Sequence, residues 1–245
     1  MQLAQTLLPN RRIEWHSSID STMHQAVQLA AEGAPSGTVV GADEQTAGQG
    51  RFNRVWHSER GAGLYFSIIL RLPIETAAMP AVTLALGCAV VEALQITANV
   101  APDLRWPNDV LLNDKKVCGI LTQLHGQAIV SGIGINVNQT SFPSEIQEIA
   151  TSVRIATSRE HSREQLFVAL LDDIDRYCDI LVQQGRSAIF DLYSHHSSYV
   201  SGRRVIVDEE ITGTTAGLTP EGFLRLRKDD GTDHTVLAGG LRPCS

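Results

Sequence analysis

The sequence predicts an α/β (α+β) protein in which a mixed-sheet domain is followed by a small β-rich unit. Three observations carry that expectation. Strand-like runs alternate with helix-patterned segments as far as residue 199. From residue 202 onward only short strand signals remain, with the hairpin dipeptide Asp230-Gly231 between two of them. The 245 residues, 43% hydrophobic and 19% charged, suit one large domain with a small appendage rather than a disordered or fibrous chain.

Ser21 opens a helix over 21–32, and Gly33 stands where a helix-terminating glycine belongs. A strand follows at 38–43, then a polar, glycine-punctuated loop at 44–60. Residues 64–70 form an aromatic and β-branched strand. Pro80 starts an apolar helix that runs to about Ile96. Strands at 104–112 and 117–124 flank the turn Asn113-Asp114-Lys115-Lys116, and 128–137 is a further strand. Ser162, with Gln165 three residues on, has capping-box form and opens a long helix ending at Gly185; another helix covers 186–199. Short strands at 203–208, 211–217, 222–228 and 235–237 complete the chain. The boundary near 197–202 gives expected domains of 1–198 and 199–245.

Lys and Arg total 20 against 27 Asp and Glu, a net charge of −7. That balance argues against broad binding to nucleic acid or anionic membranes, which needs clustered cations. Cys88, Cys118, Cys178 and Cys244 form no C-x-x-C pair and no zinc-type cluster with histidine. The opening residues lack the basic flank of a secretory signal, so reduced thiols, no metal site and a cytoplasmic location are expected. The apolar stretch 76–91 reads as too short to span a membrane, and it contains Pro80.

Three segments carry candidate chemistry. In the first, residues 44–56, Gly48-x-Gly50 lets backbone N–H groups approach a phosphate, and Arg51 and Arg54 add positive charge. It is not a dinucleotide fingerprint, because Asn53 replaces the third glycine and a strand is expected to follow; no Gly-Lys-Ser/Thr exists for a Walker loop. A mobile loop whose glycines only permit turns is the equal alternative. In the second, Asp109 ends one hairpin strand and Lys116 starts its partner, so the pair can hold an anionic group beside a nucleophile; a turn aspartate and a solvated edge lysine are the alternative. In the third, Gly132-Ile133-Gly134-Ile135-Asn136, small residues alternate and admit a flat ligand, or else mark a glycine-kinked buried strand. Ser21 and Thr22 offer hydroxyls at a helix start, where such residues commonly serve as caps.

Together and in this order, Asp20-Ser21-Thr22, Gln45-Thr46-Ala47-Gly48-x-Gly50-Arg51, Trp106-Pro107-Asn108-Asp109, Lys116-x-x-Gly119-Ile120-Leu121 and Gly132-x-Gly134-Ile135-Asn136 closely resemble the biotin protein ligases, or biotin–[acetyl-CoA-carboxylase] ligases. The Trp-Pro-Asn-Asp with its trailing lysine is the most specific element. The resemblance implies a catalytic domain related to class II aminoacyl-tRNA synthetases and an SH3-like C-terminal domain. It implies ATP-dependent activation of biotin as biotinyl-5′-AMP, with Mg²⁺ accompanying ATP, and transfer to a lysine of a biotin carboxyl carrier protein. Arg51, Asp109 and Lys116 are the implied catalytic groups. Ser21, Thr22, Met23, Gln45, Gln49, Gly50, Arg51, Lys116 and Gly119 are implied around biotin, and Arg51, Arg54, Trp56, Asn108, Lys116, Gly134 and Asn136 around the nucleotide. Asp109 is expected to orient the incoming lysine amine.

The chain departs from the family at Met23, where Asn is usual, at Gln49 (Arg), at Asn53 (often Gly) and at Gln123 (commonly Glu). The motif-bearing domain starts within about twenty residues of Met1, leaving no room for the winged helix of some members. DNA binding is therefore not expected, and a homodimer is compatible with the resemblance. A lipoate–protein ligase of the related fold and a non-catalytic binder of biotin or its adenylate are the competing readings; Ser21, Thr22 and Gln45 favour biotin, and Lys116 and Asp109 favour catalysis.

Overall fold

The computed structural model describes residues 2–244; Met1 and Ser245, the outer ends of the two expected domains, lie outside them. Seven strands form one sheet: β1 (Ile13–His16), β2 (Val39–Ala42), β3 (Leu64–Leu70), β4 (Asp103–Arg105), β5 (Asp109–Leu112), β6 (Lys115–His125) and β7 (Ala128–Ile135), ordered β1-β2-β3-β7-β6-β5-β4. The β1–β2 pair is parallel and the other pairs are antiparallel, so the sheet is mixed.

Helices cover both faces. After the short α1 (Gln2–Leu7), α2 (Thr22–Ala31) lies on one face, seated by Met23, Ala26, Leu29 and Ala30 against Val40, Ile69 and Val130. On the other face lies α3 (Met79–Ala98); after α4 (Val153–Thr157), α5 (Arg163–Gln184) and α6 (Arg186–His195) pack over it. Two covered faces explain why all seven residues of β3 are buried. They also explain the composition of α3, apolar all round because sheet and helices enclose it. Pro80 sits in its first turn and Asn99 ends it in the left-handed conformation at φ 53°. The apolar stretch here is longer than the sequence suggested: the helical segment 76–98 is long and apolar enough to cross a membrane, yet 67% of its apolar window is buried inside the protein.

The caps at Gly33 and Ser162 form as expected: Gly33 has φ +88°, and the Ser162 hydroxyl accepts from Gln165 N at 3.2 Å. Four short elements escaped sequence reasoning: α1, β1, α4 and the last strand. The expected strand 104–112 is two strands, because Trp106-Pro107 turns the chain between β4 and β5 through a cis peptide. The glycine loop contains a 3₁₀ turn at Arg51–Asn53, and the strand that follows the loop is β3, as expected.

The remaining chain forms a five-stranded antiparallel sheet of β8 (Ser201–Val207), β9 (Ile211–Leu218), β10 (Leu224–Arg227), β11 (Asp233–Val236) and β12 (Leu241–Pro243), ordered β11-β10-β9-β8-β12. Its inward Val205, Leu224, Leu226 and Val236 join the same buried cluster as Leu104, Trp106 and Phe190. The small sheet and the larger unit thus share one continuous core.

Candidate active site

A cleft open to solvent lies over the centre of the large sheet. Its floor is made by β6 and β7, where Gly119 and Gly134 pair directly across the ladder. Both glycines are there for space. A Cβ on Gly134 would stand 2.4 Å from the Trp56 ring, and one on Gly119 would meet Trp56 and the Lys116 side chain at 2.9 Å. Gly132 similarly leaves room for Met23, 3.0 Å from where its Cβ would be. The alternation of small residues in β7 therefore admits side chains of the site itself.

At the cationic end, the tight turn Asn113-Asp114, with φ 52° and 60°, reverses β5 into β6. Lys116 stands opposite Leu111 and Asp109 opposite Gly119, and the lysine side chain reaches along the hairpin: Lys116 Nζ lies 2.6 Å from Asp109 Oδ1, while Arg105 Nη2 donates to Asp109 Oδ2 at 2.7 Å. Burial alone would raise the Asp109 carboxyl, but Lys116 and Arg105 together outweigh it and hold it below the ordinary range. Lys116 Nζ also sits over the Trp56 ring at 5.6 Å. Arg51 reaches the same place from the loop, donating through Nη1 to Asn108 Oδ1 at 2.8 Å, and Asn108 Nδ2 donates to Ile120 O at 2.9 Å. Burial lowers the Arg51 pKa, Asp109 opposes that shift, and a guanidinium remains charged regardless.

The opposite end is polar and enclosed. Gln45 Oε1 accepts from Thr22 N at 2.8 Å and from Thr22 Oγ1 at 3.0 Å, and Thr22 Oγ1 shares a 2.8 Å hydrogen bond with Ser67 Oγ. Ser67, buried in β3, was missed by sequence reasoning; a lone hydroxyl in the apolar run Leu-Tyr-Phe-Ser-Ile-Ile-Leu was the available signal. Ser21 Oγ is buried with no partner, as is Trp56 Nε1. Such atoms are costly to leave unpaired, so each marks a place where a ligand can donate or accept.

The loop joining the two ends explains the departures from the family pattern. Phe52 and Asn53 both have φ 57°, so Asn53 stands where glycine is favoured and asparagine is the next best tolerated. Gln49 Nε2 donates to His24 Nε2 at 2.7 Å, and His24 Nδ1 bonds Asp20 Oδ2 at 3.0 Å. Met23 belongs to the apolar packing under α2. Gln123 Oε1 pairs with His125 Nε2 on the exposed end of β6.

Among the residues named from sequence, Thr22, Met23, Gln45, Gln49 and Gly50 line the cleft at one end. Arg51, Trp56, Asn108, Lys116, Gly119 and Gly134 line it towards the other. Ser21 lies buried at the start of α2, and Asp109 sits behind Lys116. Arg54 is exposed and outside the lining. Asn136 is also outside it: its Nδ2 donates to Thr151 O at 3.0 Å and its Oδ1 accepts from Gln139, which ties β7 to the segment before α4.

Residues 15–139, which span nearly all of this cleft, match the family model described as the biotin/lipoate A/B protein ligase family. The chain is 36% identical over 236 residues to the bifunctional ligase/repressor BirA of Bacillus subtilis, covering 92% of this chain and 72% of that one. It is 30% identical over 241 residues to the biotin–[acetyl-CoA-carboxylase] ligase of Mycobacterium tuberculosis, covering 94% and 88%. In three dimensions it is similar to the biotin protein ligase of Aquifex aeolicus in complex with biotin and ATP, with a TM-score of 0.86 and 31% identity over 95% of this chain and 99% of that one. Sequence, layout and cleft agree: the chain belongs to the biotin/lipoate A/B protein ligase family, among its biotin protein ligases.

Proposed function

We propose that this protein activates biotin with ATP as biotinyl-5′-AMP, releasing pyrophosphate, and transfers the biotinyl group to a lysine of a biotin carboxyl carrier protein. The observation that carries the reading is the convergence of Lys116 and Arg51 at one end of a cleft whose other end holds Thr22 and Gln45, with Ser21 buried next to Thr22. Biotin has matching ends: a ureido ring that donates and accepts hydrogen bonds, and a carboxylate.

In the first step the biotin carboxylate oxygen attacks the α-phosphorus of ATP and pyrophosphate leaves. Two anions must meet, so cations that offset their repulsion lower the barrier, and Lys116 and Arg51 supply them. Mg²⁺ enters with ATP as part of that substrate, ligated by phosphate oxygens. Ser21 Oγ, Thr22 and Gln45 take the ureido ring, with Met23, Gln49, Gly50 and Gly119 shaping the slot. Trp56, Asn108 and Gly134 stand on the nucleotide side with Arg51 and Lys116. Arg54 and Asn136 contribute there only if ligand draws the loop inward or frees Asn136 from Thr151. In the second step the acceptor amine attacks the acyl carbon and AMP leaves. Asp109, kept ionised, orients that amine.

We read residues 1–198 as the biotin- and ATP-binding unit and 199–245 as an SH3-like one. A carrier domain of acetyl-CoA carboxylase or a similar enzyme is the acceptor, the location is cytoplasmic, and no DNA is bound; a homodimer fits the same reading. A lipoate ligase would present a long apolar tunnel, and here the slot ends in hydroxyls and an amide. Purified protein given ATP should release pyrophosphate with biotin and not with lipoate; release with lipoate alone would reverse the assignment.

A further inference from the structure

The turn that carries Asn108, just ahead of Asp109 in β5, is held from the small sheet. Trp106 is 4% exposed, and its Nε1 donates to the Gly222 carbonyl at 3.0 Å. Gly222 belongs to the turn between β9 and β10, closed by Gly222 N to Thr219 O at 2.9 Å and Thr219 N to Phe223 O at 2.7 Å. Its φ is +88°, and a Cβ there would fall 2.9 Å from the Phe190 ring and 3.6 Å from Pro80 Cβ. The carbonyl that receives the Trp106 proton is thus set in place by α6 and the start of α3.

Two residues beyond Trp106, Asn108 orients the Arg51 guanidinium. Between this turn and the small sheet lies an open hollow of about 170 Å³, bordered by Arg51, Pro107, Asn108, Phe223 and Leu237. Open space provides no packing to hold Asn108 from that side. Asn108 is tied to β6 through its Nδ2 to Ile120 O at 2.9 Å and through Ile120 N to its own carbonyl at 3.0 Å, and the Trp106 hydrogen bond adds a directional constraint on the turn from the side of the small sheet.

We propose that Trp106 is a positioning residue: anchored on the Gly222 carbonyl, it holds Asn108, and through it Arg51, where adenylation needs them. The proposal rests on the adenylation reading above. Reacting groups misplaced by about 1 Å can lose roughly 10²-fold in rate, so a relaxed turn registers in kcat.

Two variants of the full chain separate this role from a merely structural one. Trp106→Phe removes the N–H and keeps an aromatic ring in the core. Gly222→Ala drives a Cβ into Phe190 and shifts the carbonyl with Trp106 intact. In biotin-dependent ATP–pyrophosphate exchange, Trp106→Phe should lower kcat about tenfold while KM for biotin stays within about twofold. Gly222→Ala should act in the same sense, and the double variant should be no worse than the poorer single, because both break one link. Wild-type kcat in Trp106→Phe, losses that multiply in the double variant, or a rise in KM equal to the fall in kcat overturns the proposal. If Trp106→Phe does not fold, Gly222→Ala decides on the same parameters. A wild-type chain without exchange overturns the adenylation reading and this proposal with it; exchange by the wild type and an unimpaired Trp106→Phe overturns this proposal alone.

Discussion

Lys116 has an anion on one side and an aromatic face on the other: Asp109 Oδ1 at 2.6 Å and the Trp56 ring centroid at 5.6 Å. An ammonium so held is fixed in direction, yet its side chain keeps 29% of its surface exposed at the mouth of the cleft. A cation in this position acts most where negative charge is gathered. That is the first step, in which carboxylate and phosphate meet; in the second, a neutral amine attacks an anhydride already made. Lys116→Ala should therefore cut biotin-dependent pyrophosphate release by about 10²–10³, by analogy with the loss of one oxyanion donor. Labelling of the acceptor from presynthesised biotinyl-5′-AMP should fall much less. Equal losses in the two assays would make Lys116 a general ligand anchor.

That Lys116 and Asp109 share one hairpin was legible in the sequence; the register was not, because a bulge between Val110 and Leu111 leaves Asp109 opposite Gly119 and Lys116 opposite Leu111, and the two meet through the reach of the lysine side chain. The polar end was legible only in part. Thr22 and Gln45 stand out in their motifs, but Ser67 joins them only through the antiparallel β2–β3 and β3–β7 pairings, which no local pattern specifies. Asn136 was legible as a candidate in its glycine-rich motif, but its hydrogen bond to Thr151 O was not, because no local pattern specifies so distant a partner. Among whole elements, α3 was readable from its apolar length. The four residues of β1 were not, since so short a strand is defined by its parallel partner β2. The loop at 48–56 folds back on itself, with Trp56 N to Gly48 O at 2.9 Å and Gly50 N to Arg54 O at 2.7 Å, and its tip stands clear of the sheet, Phe52 and Val55 being exposed at 62% and 82%. Few apolar contacts hold it, so ligand contacts should order it. Limited proteolysis should cut within 48–56 in the free protein and slow markedly with biotin and ATP; unchanged cleavage would mean the loop does not close on ligand.

The two sheets share one buried cluster across the boundary that the sequence suggests. Val205, Leu224, Leu226 and Val236 share a buried cluster with Trp106 and Phe190, and Arg203 bridges further by donating to Asp114 Oδ1 at 3.1 Å. Removing the small sheet would uncover Trp106 and Phe190 rather than separate two finished cores. The whole chain should accordingly unfold in a single calorimetric transition; two resolved transitions would show independent cores.

That shared architecture places cations, ureido partners and nucleotide floor in one cleft, and the claim it supports is that biotin and ATP react there. The most direct measurement is mass spectrometry of the small molecule retained on the protein after incubation with biotin and MgATP and removal of free ligand. Biotinyl-5′-AMP is expected on the wild type and little on Lys116→Ala. Unreacted biotin with intact ATP, or no retained ligand at all, would contradict it.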